Sequence, residues 1–363
     1  MSDRIDHALE LLDASDQRAA AHDLGEAERL CREALAIFET EEGPESADVA
    51  NILHTLGGIL EQRGRYDDAA TCAARAAGIV EPLVSQFDGD DGRMILANAL
   101  GLWGTALRLM GRYPEAEGPL RHALAVAEET AHPEMVVTAL NNLGVLFKFW
   151  GRFEDGSKFY ERAMEIARTL DPQGGMLSTL LHNVGGLHHA RGAFAEAEAP
   201  AREAWELRRA TLGDDHPDTL ADEVAYAAVL DGLGRFAESR PIYERALAAY
   251  IRIFGPDHYE VASTLHNLAA LEASEGNMVR AEELYRRALA MKQRLLGSGH
   301  PDTALTAGNL SGILEDRGQL EEALVLAQQA LAVMETTLEK DHPNVEAMRR
   351  HCAGLKNRTS IPH

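Results

Sequence analysis

The sequence predicts an all-α solenoid in which helical hairpins stack one after another along the chain. A glycine recurs at intervals of 40 to 47 residues, and the last three intervals are all 42 residues. A period of this length is typical of repeats that bury their apolar faces only against neighbouring repeats. The seven recurring glycines are Gly64, Gly111, Gly151, Gly192, Gly234, Gly276 and Gly318.

Columns of small residues in register with these glycines define the two helices of each hairpin. Glycine is expected to end the first helix because it adopts a left-handed backbone conformation that other residues resist. Small residues lie seven residues before the glycine and five and twelve residues after it, so the two helices can pack closely. The residues at the last of these positions are all alanine: Ala76, Ala123, Ala163, Ala204, Ala246, Ala288 and Ala330.

The helices follow in order from this register, beginning with a degenerate hairpin that is predicted to turn at Gly25. Between later hairpins the loop reads His-Pro-Asp or a variant of it, and proline suits the first turn of a helix because its missing N–H costs nothing there. The predicted helix pairs are 3–22/25–40, 46–63/67–84, 93–110/114–130, 134–150/154–170, 175–191/195–212, 218–233/237–254, 260–275/279–296 and 302–317/321–338.

We expect residues 1–363 to form a single solenoid. Its repeats are degenerate over 1–130 and regular over 131–342, and an unpaired helix over 343–357 caps the end before a polar tail, 358–363. The segment from Gln86 to Gly92 lengthens one interval and is predicted to be the most mobile loop.

Composition narrows the class of partner. The formal net charge of −23 argues against nucleic acid, whose phosphates require a basic surface. It also argues against anionic membranes, and no run of residues approaches the roughly 20 apolar residues of a membrane span. Three scattered cysteines and the absence of a signal region favour a cytoplasmic protein. The oligomeric state is left open.

No catalytic, metal or cofactor motif emerges. We find no phosphate loop, no nucleophile elbow and no zinc spacing of cysteine and histidine. The loop histidines belong to different repeats, which places them too far apart to share one metal ion. These histidines are His216, His258, His300 and His342. We therefore expect no catalytic residues, no metal and no cofactor.

The repeat resembles the tetratricopeptide repeat. The motif Leu-x-Asn-Leu-Ala/Gly is followed by Gly-Arg-Tyr/Phe, by Ala-Glu-x-Leu-Tyr-Arg-Arg-Ala-Leu and by Leu-Gly-x-x-His-Pro-Asp, and the stretch 255–296 is the fullest copy. The 42-residue period looks like the kinesin light chain subtype, and the composition looks bacterial. The resemblance implies a right-handed superhelix of about eight hairpins whose first helices line a concave, peptide-binding groove.

An asparagine column marks the candidate groove. Nine residues before the turn glycine, the resemblance implies an asparagine that faces inward and holds the backbone of a bound peptide. An amide suits this role because it both donates and accepts hydrogen bonds. The candidate binding residues in and beside this column are Arg108, Asn141, Asn142, Lys148, His182, Asn183, His189, His266, Asn267 and Asn309.

These features predict a scaffold or regulatory adaptor that holds an extended protein or peptide segment in the groove. Two alternatives stay open. One is a peptide-sensing regulator, in which a short peptide changes the superhelical pitch. The other is an enzyme or biosynthetic accessory that binds a small molecule through His182, His189 and His266.

Overall fold

The computed structural model describes residues 3–21, 23–171, 174–338, 340 and 342–359. Within these ranges the chain forms seventeen α-helices and one 3-10 helix, and no strand. The predicted all-α fold is confirmed. None of the helices described there is long and apolar enough to cross a membrane.

The helices alternate between the first and second members of hairpins, and α17 is unpaired. Their bounds are α1 Asp3–Ala20, α2 Leu24–Glu41, α3 Ala47–Gln62, α4 Tyr66–Val80, α5 Asp91–Leu109, α6 Tyr113–Glu128, α7 Pro133–Trp150, α8 Phe153–Leu170, α9 Gly175–Ala190, α10 Phe194–Leu212, α11 Pro217–Gly232, α12 Phe236–Phe254, α13 Tyr259–Ser274, α14 Met278–Leu296, α15 Pro301–Asp316, α16 Leu320–Thr337 and α17 Pro343–Thr359.

The predicted hairpin turns are present at all seven recurring glycines, each of which has a φ between 72° and 88°. The prediction for Gly25 is wrong. Gly25 is the second residue of α2, because the side chain of Asp23 accepts a hydrogen bond from the backbone N–H of Glu26 and starts the helix there.

The connection after α4 also differs from the prediction. A 3-10 helix spans Glu81–Gln86 where the α-helix was expected to continue to residue 84. Pro82 explains the change, since proline inside an α-helix removes a backbone hydrogen bond and clashes with the preceding turn. Helix α5 then starts at Asp91, inside the predicted loop, and the ring of Phe87 lies so close to Gly92 that a Cβ there would sit 2.7 Å from it.

The small-residue columns lie where helices meet. All seven alanines of the twelve-residue column are at most 3% exposed. A Cβ added to Gly104 would lie 2.6 Å from Cδ2 of Leu120, and one added to Gly185 would lie 3.1 Å from Cβ of Ala201. The close packing predicted for the two helices of a hairpin is therefore confirmed at these positions.

The loop histidines act as helix caps. In each of the four loops, Nδ1 accepts a hydrogen bond from the backbone N–H two residues later, at 3.1 to 3.3 Å. This contact satisfies one of the N–H groups that a helix leaves without a partner at its start. The four capping residues are His216, His258, His300 and His342.

The chain divides into two compact units, residues 1–146 and 147–363. The single solenoid over 1–363 stays a prediction. Within the second unit, His342 is 7% exposed and packs against Phe153 and Gly151, an association of residues from distant repeats that the sequence did not indicate.

The last helix packs on the final hairpin. Val345, Met348, Cys352 and Leu355 of α17 are buried in the same apolar cluster as α15 and α16. The predicted polar tail begins inside α17, which extends to Thr359, and residues 360–363 lie outside the described residues.

Candidate functional site

The first unit carries a cavity of about 280 Å³ lined mainly by α3, α5 and α7, the first helices of three hairpins. The predicted residue Asn142 lines it, and Gly101 leaves room beside the amide, because a Cβ at Gly101 would lie 3.7 Å from Asn142 Nδ2. The Asn142 side chain makes no hydrogen bond with any described residue. The neighbouring Asn141 is half-buried.

Three titratable residues line this cavity, and the pKa values of two of them, Glu61 and His54, are shifted. Burial raises the pKa of Glu61, and the predicted residue Arg108 opposes that rise from nearby. Burial lowers the pKa of His54, whose Nδ1 is buried without a hydrogen-bond partner. Arg108 is thus placed beside an acid, not on the cavity wall itself.

In the second unit, most of the predicted residues lie on α9, α13 and α15. His182 Nδ1 is 2.7 Å from Oδ1 of Asp222, an ion-pair distance without hydrogen-bond geometry. Asp222 also accepts a hydrogen bond of 2.9 Å from Nε of Arg208. Asn183, next to His182, is half-buried.

The predicted residue Lys148 acts on the predicted His189, since its ammonium helps to lower the pKa of that ring. His189 hydrogen-bonds the backbone of Ala228 and meets the ring of Phe194 edge-on at 5.3 Å, and burial lowers its pKa. Lys148 Nζ lies 4.6 Å from the ring centroid of Phe149.

His266 and Asn309 bind each other. His266 Nε2 is 3.3 Å from Nδ2 of Asn309, and His266 Nδ1 is 3.0 Å from Oγ1 of Thr306. Asn309 also hydrogen-bonds the hydroxyl of Tyr285. Burial lowers the pKa of His266 to about 3, so the ring is neutral at pH 7. The structure therefore uses Asn309 internally, while the adjacent Asn267 is half-buried and its side chain makes no hydrogen bond with any described residue.

The predicted histidines do not converge. His182 lies at ion-pair distance from Asp222, whereas His189 hydrogen-bonds a backbone group and His266 hydrogen-bonds Thr306, so the three rings have three different partners. Each unit offers polar groups on its first helices: Asn142 in the first unit and Asn267 in the second have amides that make no hydrogen bond with any described residue.

Sequence reasoning missed a set of charged residues that join successive hairpins. In each pair, a base near the end of a second helix lies ten positions before an acid in the first turn of the next helix. At this spacing, Lys292 Nζ lies 2.8 Å from Oδ2 of Asp302, and Arg208 Nη1 lies 3.9 Å from Oδ2 of Asp218. The sequence could have revealed these pairs, because Arg208 and Lys292 lie 84 residues apart, which is twice the 42-residue period.

The comparisons with known proteins agree with this architecture. The sequence model of the family described as "Tetratricopeptide repeat" matches residues 8–81, 95–169, 222–294 and 260–336, and a second tetratricopeptide model matches 177–218. No protein with a curated description matches the sequence.

Three solved structures illustrate the similarity. The Rap conjugation gene regulator of plasmid pLS20 in complex with the Phr* peptide is 18% identical and has a TM-score of 0.61, with 78% of this chain and 73% of that chain covered. A Rap protein complexed with competence and sporulation factor is 13% identical and has a TM-score of 0.60, with 97% and 98% covered. A structure of kinesin light chain repeats from Podosopora anserina is 23% identical and has a TM-score of 0.39, with 49% of this chain and 85% of that chain covered.

At these identities the structures show the fold alone, whereas the family models together match more than half of the chain. The predicted repeat identity is confirmed, and the bacterial origin stays a prediction. The chain is a member of the tetratricopeptide repeat family.

Proposed function

We propose that the chain binds an extended peptide segment on the first helices of its hairpins and acts as an adaptor or regulator without catalysis. The observation that carries the proposal is the free amide of Asn267. Its neighbours on the same surface are bonded to one another, whereas this side chain offers a donor and an acceptor to an incoming backbone.

Two further observations support this function. Asn142 offers a second free amide, in the cavity of the first unit. The structurally similar Rap regulator of pLS20 was solved in complex with its Phr* peptide. The small-molecule alternative loses its main support, because His182, His189 and His266 do not form one site.

A random library of hexapeptides, acetylated and amidated to remove terminal charges, tests the proposal. The purified full chain is mixed with the library, separated by gel filtration and analysed for retained peptides by mass spectrometry. We expect a defined subset of peptides to be retained. Two lost hydrogen bonds of about 0.5–1.5 kcal/mol each predict that Asn267→Ala weakens their binding about tenfold.

The matched control is Asn357→Ala, which removes an exposed amide from α17 and should leave affinity unchanged. If the wild-type chain retains no peptide, the peptide-binding proposal is wrong. If peptides are retained but Asn267→Ala binds them as the control does, the site lies on another surface.

A further inference from the structure

The charged pairs between hairpins keep acidic groups of the second unit neutralised. Lys292 is 2% exposed and binds Asp302, and the Arg208 side chain is 12% exposed and contacts both Asp218 and Asp222. Each base comes from the end of a second helix, and each acid from the next first helix. Burying a carboxylate is costly without such a partner.

The hairpin between these two carries a tyrosine instead of a base. Tyr250 lies 42 residues after Arg208 and 42 before Lys292, and it is 0% exposed. Its hydroxyl is buried without a hydrogen-bond partner, and the charged groups that act on it are the carboxylates of Glu260, Asp222 and Asp218. A neutral hydroxyl cannot replace the missing positive charge.

Glu260 is the acid left without a counter-ion. Its carboxylate makes no hydrogen bond and no ion pair with any described residue. Of the charged groups around it, Asp218 and Asp302 repel it, while Lys292 is bound to Asp302 and His182 to Asp222. Burial raises the pKa of Glu260 in these surroundings.

Glu260 also reaches the surface to which the proposed peptide binds. It is partly exposed and lies seven residues before Asn267, which places both side chains on one face of α13. A ligand that contacts the Asn267 amide therefore passes within reach of the unpaired carboxylate.

We propose that Glu260 binds a lysine or arginine side chain of the peptide, whose positive charge replaces the charge that Arg208 and Lys292 supply in the neighbouring hairpins. This inference rests on the proposed function and names the chemistry of the ligand. A lysine ammonium carries three donors, and the Glu260 carboxylate can accept from it. Such charge-assisted hydrogen bonds are stronger than neutral ones.

The test uses two libraries of acetylated, amidated hexapeptides that differ at one position. In one library that position is lysine, and in the other it is norleucine, which has a similar length and no charge. Both are presented to the full chain at about 150 mM salt, where long-range attraction between exposed charges is screened. We expect wild type to retain the lysine library about tenfold more strongly.

Two variants assign this preference to the site. Glu260→Gln should bind both libraries equally, at the level of the norleucine library. Tyr250→Lys restores the base found in the neighbouring hairpins and should also abolish the preference. The matched control is Glu203→Gln, which removes the same charge from an exposed position of α10 and should keep the preference.

The outcomes separate the two proposals. If wild type retains both libraries equally, the inference about Glu260 is wrong and peptide binding stands. A preference that survives Glu260→Gln also overturns it, because the cation then binds elsewhere. If wild type retains neither library, peptide binding fails, and the inference fails with it. If Tyr250→Lys does not fold, Glu260→Gln decides the question by itself.

Discussion

Replacing Lys292 with methionine tests whether buried ion pairs hold successive hairpins together. Methionine nearly matches the volume of the lysine stem, so the substitution removes the charge without opening a large cavity. Lys292 is 2% exposed, and its Nζ lies 2.8 Å from Oδ2 of Asp302. Burial alone would raise the pKa of Asp302, but the Lys292 ammonium outweighs it and the pKa is lowered.

The expected loss follows from leaving Asp302 without its base. Removing one partner of a buried pair costs about 3–5 kcal/mol. The Asp302 side chain is 23% exposed and keeps a hydrogen bond of 3.1 Å from the hydroxyl of Tyr259. Both features reduce the penalty, so we expect Lys292→Met to lower the free energy of unfolding by about 3 kcal/mol.

Urea unfolding followed by circular dichroism at pH 7 measures this loss. Lys292→Met combined with Asp302→Asn should recover most of it, since no unpaired charge then remains. Arg294→Met, which breaks an exposed pair with Asp257, is the control and should cost less than about 1 kcal/mol. If Lys292→Met loses no more stability than Arg294→Met, the reasoning about buried pairs is refuted.

Three further predictions concern stability. Glu260→Gln should raise the melting temperature at pH 7, because a carboxyl whose pKa is raised by folding lowers the stability of wild type as pH rises above 4.5, its ordinary pKa. The gain should vanish below that pH, and an equal gain at pH 3 would contradict the reasoning. Gly104→Ala should lower the free energy of unfolding by about 1–3 kcal/mol, because the new Cβ would collide with Leu120. Gly58→Ala, whose Cβ would have no atom within 4 Å, should instead raise it by about 0.5–1 kcal/mol. Changes of the same sign in urea unfolding would argue against the close-packing role of the small residues. Deleting residues 343–363 should expose the apolar face of the last hairpin and lower the melting temperature, so an unchanged melting curve without aggregation would show that α17 is not a cap.

The sequence by itself determined the helices and their pairing. These features are local or strictly periodic: a turn glycine with positive φ, an alanine twelve residues later and a proline at the start of the next helix each act within one repeat. Errors arose where one side chain changed the local geometry. Pro82 converts the end of a predicted helix to 3-10 structure, and Asp23 starts α2 before Gly25.

Only the tertiary structure decided which polar groups are available to a partner. Asn267 and Asn309 occupy the same repeat position, yet Asn309 is held by His266 and Asn267 is free. Asp302 and Glu260 also occupy the same repeat position, yet Asp302 is paired with Lys292 and Glu260 has no counter-ion. Such contacts join side chains of different helices, and their formation depends on distances between helices that the spacing of residues along the chain does not specify.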